Sequence, residues 1–384
     1  MRRQDGFSLL EMVIAMGIML AVTAGVFSVM NPSQGAFQTQ PEVSDIQQRL
    51  RVGSDTLYKD LVMAGGGAYQ GQRSGSLLNF FATIMPYRNG STLDDPPGTY
   101  KTDTITITYV PPTMSQTGLA DKGPSLNSSE IGVTAEAGCP ANDPLCGFKS
   151  GMTVLMYDDS GHFDTFTITN VQAGGQLHLQ HNEEKLTYTG YNKDTTKIVQ
   201  AANVVYYLNS TTNQLMYYDG TRNPDVPVVD NVVGLNFEYW GDPLPPILKN
   251  PTAASTLWVT TYGPKPTQGV ANCVFDASVQ PQPTLPTLGP ANSGLVKLTA
   301  AQLNGTEPNA QWCPDAGSNN RYPASLLRVR KVTVTLRVQA AVAALRGPAS
   351  ALFARGGTSN TASKWVPDQE IKFQVTPRNL NLGR

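Results

Sequence analysis

The chain reads as an α+β protein, in which a long N-terminal helix, transmembrane in its first half, packs on a globular head rich in antiparallel β-sheet. Two observations predict this. Residues 7–29 are almost uniformly apolar, and beyond residue 69 the hydrophobic period changes from that of a helix to two. Helix first and strands afterwards, with no repeated βαβ unit, is an α+β order and not that of a nucleotide-binding fold.

The helix comes first. The run FSLLEMVIAMGIMLAVTAGVFSV from Phe7 to Val29 carries one charge, Glu11. At about 1.5 Å of rise per residue it spans a hydrocarbon core. The preceding hexapeptide MRRQDG, with Arg2 and Arg3, should stay in the cytoplasm by the positive-inside bias, so the rest of the chain faces outward. A secretory signal places a shorter apolar core before a small-residue cleavage site. Here the order is reversed, and a polar leader of residues 1–6 ends in Gly6 ahead of an apolar helix that is kept. A carboxylate within such a helix costs at least a few kcal/mol in lipid, so Glu11 calls for a partner. Residues 30–68 should carry the helix into the periplasm, with Val43, Ile46, Leu50, Leu57 and Leu61 forming one apolar stripe that can lie on the head. Pro32 and Pro41 are expected to kink or interrupt it, and Gly65 to Gly67 to end it.

The GFSLLE string resembles the prepilin peptidase site of type IV pilins and type II secretion pseudopilins. The resemblance implies cleavage between Gly6 and Phe7, N-methylation of Phe7, and an assembly role for Glu11, whose carboxylate would neutralise the terminal amine of a neighbouring subunit.

The head spans residues 69–384. Period-two runs place strands at 104–110, 152–157, 163–171, 177–179, 204–208, 215–218, 235–240, 329–338 and 371–376. A stretch rich in Pro, Thr, Gln and Gly at about 242–293 reads as a surface insertion, and residues 340–363 as a second excursion with a short helix at 340–346. In order along the chain, SGMTVLMYDDSGHFDTFTITNV, QLHLQHN, VVYYLNSTTNQLMYYDG, VPVVDNVVGLNFEYWGD, VRKVTVTLRV and FQVTPRNLNL are similar to the blocks of PilW-like minor pilins. The resemblance implies a subunit of the priming or tip complex of a type IV pilus. Its partners would be other minor and major pilins, the prepilin peptidase, the inner-membrane assembly platform and, before assembly, membrane lipid. Its place would be the inner membrane, single-pass with the head in the periplasm, and then the pilus surface. The J-type pseudopilins of type II secretion share the VVDNVVGLNFEYW-like block and are the alternative; an adhesin or DNA-binding head on a pilin stem is the other.

A net charge of -1, from 28 Lys and Arg against 29 Asp and Glu, gives no field to gather nucleic acid, and no nucleic-acid partner is expected. The four cysteines, Cys139, Cys146, Cys273 and Cys313, form no CxxC pair. In an exported chain they suggest two disulfides, and nearest-neighbour pairing gives Cys139 with Cys146 and Cys273 with Cys313, against a competing arrangement of four buried thiols. No GxSxG, HExxH or P-loop spacing occurs, so neither an enzyme nor a cofactor is expected. His178 and His181, near Glu183 and Glu184, would point to opposite faces of a strand, which argues against a metal pair. Asp158, Asp159 and Asp164 lack the spacing of an EF-hand and read as a solvated turn between strands. The aromatic residues of VVYYL, LMYYDG and FEYWG read as core rather than as stacking platforms.

Overall fold

A computed structural model describes residues 8–69, 73–90, 94–112, 115–120, 129–134, 143, 145–173, 177–181, 186–221, 223–246, 273–274, 283–290 and 293–381. It contains an N-terminal apolar helix and a head dominated by largely antiparallel sheet. The helix, α1, runs unbroken over Leu9–Met63, 55 residues. Pro32 and Pro41 therefore do not interrupt it. A proline removes one N–H, yet its fixed φ is itself helical, and the helix persists on both sides. The stop falls where the glycines predict. Gly65 adopts φ 75°, a left-handed turn in which a Cβ would stand 2.5 Å from Leu380 Cδ2.

The strands follow in chain order as β1 (Ile84–Met85), β2 (Thr104–Tyr109), β3 (Gln116–Leu119), β4 (Glu130–Thr134), β5 (Thr153–Asp158) and β6 (Phe163–Thr167). Next come β7 (Asn170–Ala173), β8 (Leu177–Gln180), β9 (Thr196–Gln200), β10 (Ala202–Asn209), β11 (Gln214–Tyr218) and β12 (Val226–Asp230). The last are β13 (Val232–Gly241), β14 (Val296–Lys297), β15 (Trp312–Cys313), β16 (Tyr322–Pro323), β17 (Val329–Val338) and β18 (Gln369–Val375), with the short helix α2 (Ala300–Asn304) after β14. The expected strand over 163–171 is in fact two, and the expected helix at 340–346 is a single 3-10 turn, Ala343–Leu345.

The strands form a five-stranded sheet ordered β1-β2-β10-β11-β12, a four-stranded sheet β14-β13-β17-β18, a pair β15-β16, and a seven-stranded sheet β6-β5-β9-β3-β4-β8-β7. In the last, β6 and β7 lie at opposite edges although only Ile168 and Thr169 separate them. A flat sheet would hold those edges about 29 Å apart, roughly three times the reach of that link. The sheet is therefore rolled until its edges meet. The link itself shows the seam, since Ile168 N donates to Met152 O (2.9 Å) beside β5 while Thr169 N donates to Gln180 O (2.8 Å) in β8. Leu119, Ile131, Val154, Met156, Phe166 and Ile198 are among the residues that fill its interior.

Two compact units can be separated. One groups the chain up to Arg51 with Arg337–Glu370. There Arg337 pairs with Asp368 at 2.9 Å, the same carboxylate accepts from Ala354 N at 2.7 Å, and Val366 N donates to Leu345 O at 2.7 Å. The other unit, Val52–Leu336 with Ile371–Arg384, holds the end of α1 against the sheets. Leu57 and Leu61 are fully buried. Gly53 permits the closest approach, because a Cβ there would stand 2.7 Å from Leu336 Cδ2 and 3.3 Å from Val229 Cγ2. One turn from Leu57, Asp60 accepts from Tyr109 on β2 (2.9 Å) and Tyr206 on β10 (2.5 Å), so the helix is held by a charge as well as by apolar area. Gly53→Leu should cost about 1–3 kcal/mol by overpacking, and Tyr206→Phe about 1.5–3 kcal/mol by removing a hydrogen bond to a carboxylate. Urea unfolding of the detergent-solubilised chain checks both, and a wild-type midpoint for Gly53→Leu would contradict the close helix–sheet contact.

Candidate functional site

The first half of α1 is the candidate assembly element. Leu9–Met30, 22 residues, is long and apolar enough to cross a membrane, and none of it is covered by the rest of the chain. Its start is built by two side chains. Ser8 Oγ accepts from Glu11 N at 3.2 Å, and Glu11 Oε2 accepts from Ser8 N at 2.9 Å. This reciprocal pair is a capping box, which satisfies two of the amides that a helix leaves open at its N-terminus. In lipid, where water cannot serve those groups, the cap is worth more than at a wet surface. The sequence signal for it, Ser-x-x-Glu, lies inside the GFSLLE string. Gly6 and Phe7 lie outside the described residues.

The histidines of the LHLQH segment are not brought together. His178 on β8 is half-buried with Nδ1 3.8 Å from Glu130 Oε1, whereas His181 is buried and tilted against Phe166 at 5.0 Å. Glu183 and Glu184 lie outside the described residues. Among the described residues, no group of three or more His, Cys, Asp or Glu side chains is gathered as a metal site requires.

The aspartates of the β5–β6 turn are less solvated than their spacing suggested. Asp158 is 2% exposed and Asp164 3% exposed. Each oxygen set is used internally. Asp158 accepts from Ser160 N (2.9 Å) and His162 N (3.0 Å), and Asp159 pairs with Arg73 at 2.8 Å. Asp164 accepts from Thr187 N (2.9 Å), Thr187 Oγ1 (2.7 Å) and Tyr191 OH (3.0 Å). Burial outweighs those donors and pushes the Asp164 carboxyl up to about 6.

The aromatic runs divide as β-strand alternation demands. Tyr206, Tyr218, Phe237 and Tyr239 are buried, while Tyr207 lies under the Arg88 guanidinium (4.1 Å) and Trp240 under Lys331 Nζ (4.4 Å).

The insertion at 242–293 is anchored at points that its composition did not announce. Cys273 is joined to Cys313 on β15, and Cys273, Val274 and Leu285 are buried, so these parts of the insertion are core and not surface. Cys146 is also disulfide-bonded, and Cys139 lies outside the described residues. Arg328, fully buried, donates through Nη1 to Pro243 O (3.2 Å) and Leu244 O (2.6 Å), and through Nη2 to Pro286 O (2.5 Å as a close contact). One guanidinium thus ties together the two ends of the insertion. Burial pulls it down to about 10, which leaves it charged at neutral pH.

The sequence model of one family, described as the prokaryotic N-terminal methylation motif, matches residues 1–27. A pilin-like protein, PilA3, of Thermus thermophilus is 30% identical over 149 residues, which is 36% of this chain and 58% of that protein. The match thus covers little more than half of that relative's length. No solved structure matches the chain.

Asp164 and the disulfide give two measurable consequences. The folded carboxyl lies near 6 against 3.8 in the open chain, so its contribution to stability is fully present below about pH 4 and is lost as pH rises through 6, amounting to about 3 kcal/mol. Asp164→Asn should remove that fall, seen as a flatter dependence of the urea midpoint on pH. Cys273→Ser opens a cross-link that spans 40 residues, expected to cost roughly 4 kcal/mol in the chain-entropy account. Unfolding of oxidised wild type beside the variant measures it.

Proposed function

We propose that this chain, a member of the type IV pilin superfamily by its N-terminal methylation motif and its pilin-like sequence, is a minor pilin that takes part in assembly of a type IV pilus through α1. One observation carries the reading: a capped, exposed 22-residue apolar helix, Leu9–Met30, lies almost wholly within the stretch that the methylation motif matches, residues 1–27. An apolar surface of that size is tolerated only in lipid or against other apolar helices. The subunit is first held in the inner membrane with its head in the periplasm. Cleavage between Gly6 and Phe7 by the prepilin peptidase and methylation of Phe7 then release it to the assembly platform, where it joins other minor and major pilins. Its role is structural, and no catalytic step is assigned to it.

Glu11 has two duties in this account. It caps its own helix, and its charge neutralises the Phe7 amine of a neighbour during docking. Glutamine can fill the same place in a capping box, so Glu11→Gln keeps the cap and removes only the charge, while Glu11→Ala removes both. Glu11→Gln should insert and be cleaved normally, because losing a charge makes the helix easier to hold in lipid, yet be recruited poorly to the other pilins. Co-purification from pilus-bearing cells is the readout. Normal recruitment of Glu11→Gln together with failure of Glu11→Ala would assign Glu11 to capping alone. An unprocessed Met1 found by mass spectrometry in assembled fibres would overturn the pilin reading itself.

A further inference from the structure

The head carries a cavity that none of the roles assigned above uses. It has a volume of about 230 Å³ and lies between the loop that follows β1 and the residues just before β16. Its walls include Tyr87, Asn89, Asp94 and Asp95 from the first segment and Asn320 and Arg321 from the second. The backbone around it is fixed before anything enters. Asn89 N donates to Thr106 Oγ1 on β2 (3.2 Å), Asn203 Nδ2 on β10 donates to Asn89 O (2.9 Å), and Asn320 Nδ2 donates to Phe163 O on β6 (2.7 Å). Strands of two sheets therefore hold it. Asp95 is spent in the same way, accepting from Arg88 N (2.8 Å) and Lys101 Nζ (2.5 Å).

Other polar atoms on the same walls are not used by the fold. Tyr87 is 4% exposed and Asn89 9% exposed, yet among the described residues the Tyr87 hydroxyl and Asn89 Oδ1 have no hydrogen-bond partner. Neither atom is sealed from solvent, so both open into the cavity that they line. A buried polar group without a partner costs free energy, and a native chain keeps one where something from outside supplies the missing bond. Burial, with Tyr322, Asp94 and Asp95 adding to it, pushes the Tyr87 hydroxyl pKa up, so the group keeps its proton and stays a donor. At the rim, Asp94 Oδ1 accepts from Gly90 N, while no described residue donates to its Oδ2. Arg321 donates through Nη1 to Ser318 O (3.1 Å), and no described residue accepts from its Nη2. Arg88, also on the wall, is answered by Asp225 at 2.7 Å and adds no open charge.

The chemistry of the open groups selects the occupant. They are a phenol donor, an amide acceptor, a carboxylate acceptor and a guanidinium donor. A phosphate calls for donors alone and would be repelled by Asp94, and a metal ion calls for acceptors alone and would be repelled by Arg321. A ring that bears several hydroxyls calls for both, because each hydroxyl donates one hydrogen bond and accepts two. The volume lies below the roughly 300–1,000 Å³ of pockets for drug-sized ligands, which suits one such ring. We propose that this cavity binds a single neutral sugar residue. The site goes beyond the assembly role, which rests on α1.

The test is saturation-transfer NMR on the full chain, held in a detergent without a sugar headgroup. The probes are glucose, galactose, mannose, rhamnose and N-acetylglucosamine, each free and as its methyl glycoside, with inorganic phosphate and calcium as competitors. Saturation transfer to at least one sugar, undisturbed by either ion and weakened roughly tenfold in affinity by Tyr87→Phe, supports the site. That variant keeps the ring and removes a hydroxyl without a partner among the described residues, so its unfolding midpoint should not fall. Asp94→Asn, which keeps an acceptor for Gly90 N, should weaken the same sugar on its own. Binding of the methyl glycoside would identify a glycan end as the source and binding of the free sugar alone a soluble one; either supports the site. No transfer to any of these sugars from a folded wild-type chain, unchanged affinity in both folded variants, or displacement of the sugar by phosphate or calcium overturns it.

Discussion

The docking of the last turns of α1 onto the head is the contact on which the remaining architecture depends. Helices in proteins draw most of their stability from the packing of an apolar face and not from their own hydrogen bonds, and α1, 55 residues long, is no exception. Its second half needs a surface, and Leu57 and Leu61 supply the apolar stripe that finds one. Gly53 lets the backbone come within side-chain contact of Leu336 and Val229, and Asp60 fixes rotation and register by accepting hydrogen bonds from tyrosine hydroxyls on two strands of one sheet. An all-apolar stripe could slide or turn by one residue at small cost. A buried carboxylate cannot, because any slip leaves it and two tyrosines unpaired.

The same logic recurs at the insertion. A segment this rich in proline offers few amide donors, so its carbonyls must be satisfied from elsewhere. Arg328 answers with a planar set of donors directed at both ends of the insertion, and the Cys273–Cys313 bond fixes a point between them. A long loop is thereby converted into part of the head without strands of its own at those points. The charge is retained in a buried place because it touches carbonyl dipoles on several sides and not a single counter-ion.

Much of this fold was legible in the sequence, and the exceptions have local causes. Strands with strict alternation, such as Val329–Val338 and the TITITY of β2, stand where the pattern places them. Besides the two-residue strands β1, β14, β15 and β16, too short to show a period, the strands that escaped it are β3 and β4, which contain Gly118 and Gly132, β9, which buries Lys197, and β12, which contains Pro227. Each of these longer strands carries a residue that strands normally avoid. The topology makes room for one of them, since β12 is an edge strand, where a missing amide is tolerated, and its pairing with β11 shifts register between Leu215 and Met216. The break of 163–171 into two strands was illegible for another reason. Alternation continues across the seam, and only closure of the sheet reveals that the two halves belong to opposite edges. Of the candidate site, the apolar span and Glu11 could be read directly, but the roles of Asp60 and Arg328 could not, because each depends on partners 42 or more positions away in the chain.

A charged residue in the first turn of an apolar helix poses two separate electrostatic problems, and the structure divides them. The open amides at the N-terminus present partial positive charge, and Glu11 meets that within its own chain by accepting from Ser8 N. The remaining negative charge is a whole unit, which one backbone amide cannot neutralise in a medium of low dielectric. The terminal amine that cleavage would produce at Phe7 is, under the proposed function, the nearest cation able to meet that charge in a fibre, and only processed subunits would carry it at that depth. Under the proposed function, a cap that orients Glu11 in every subunit and a charge that is satisfied only by a processed neighbour together make assembly conditional on processing, without any moving part in the head.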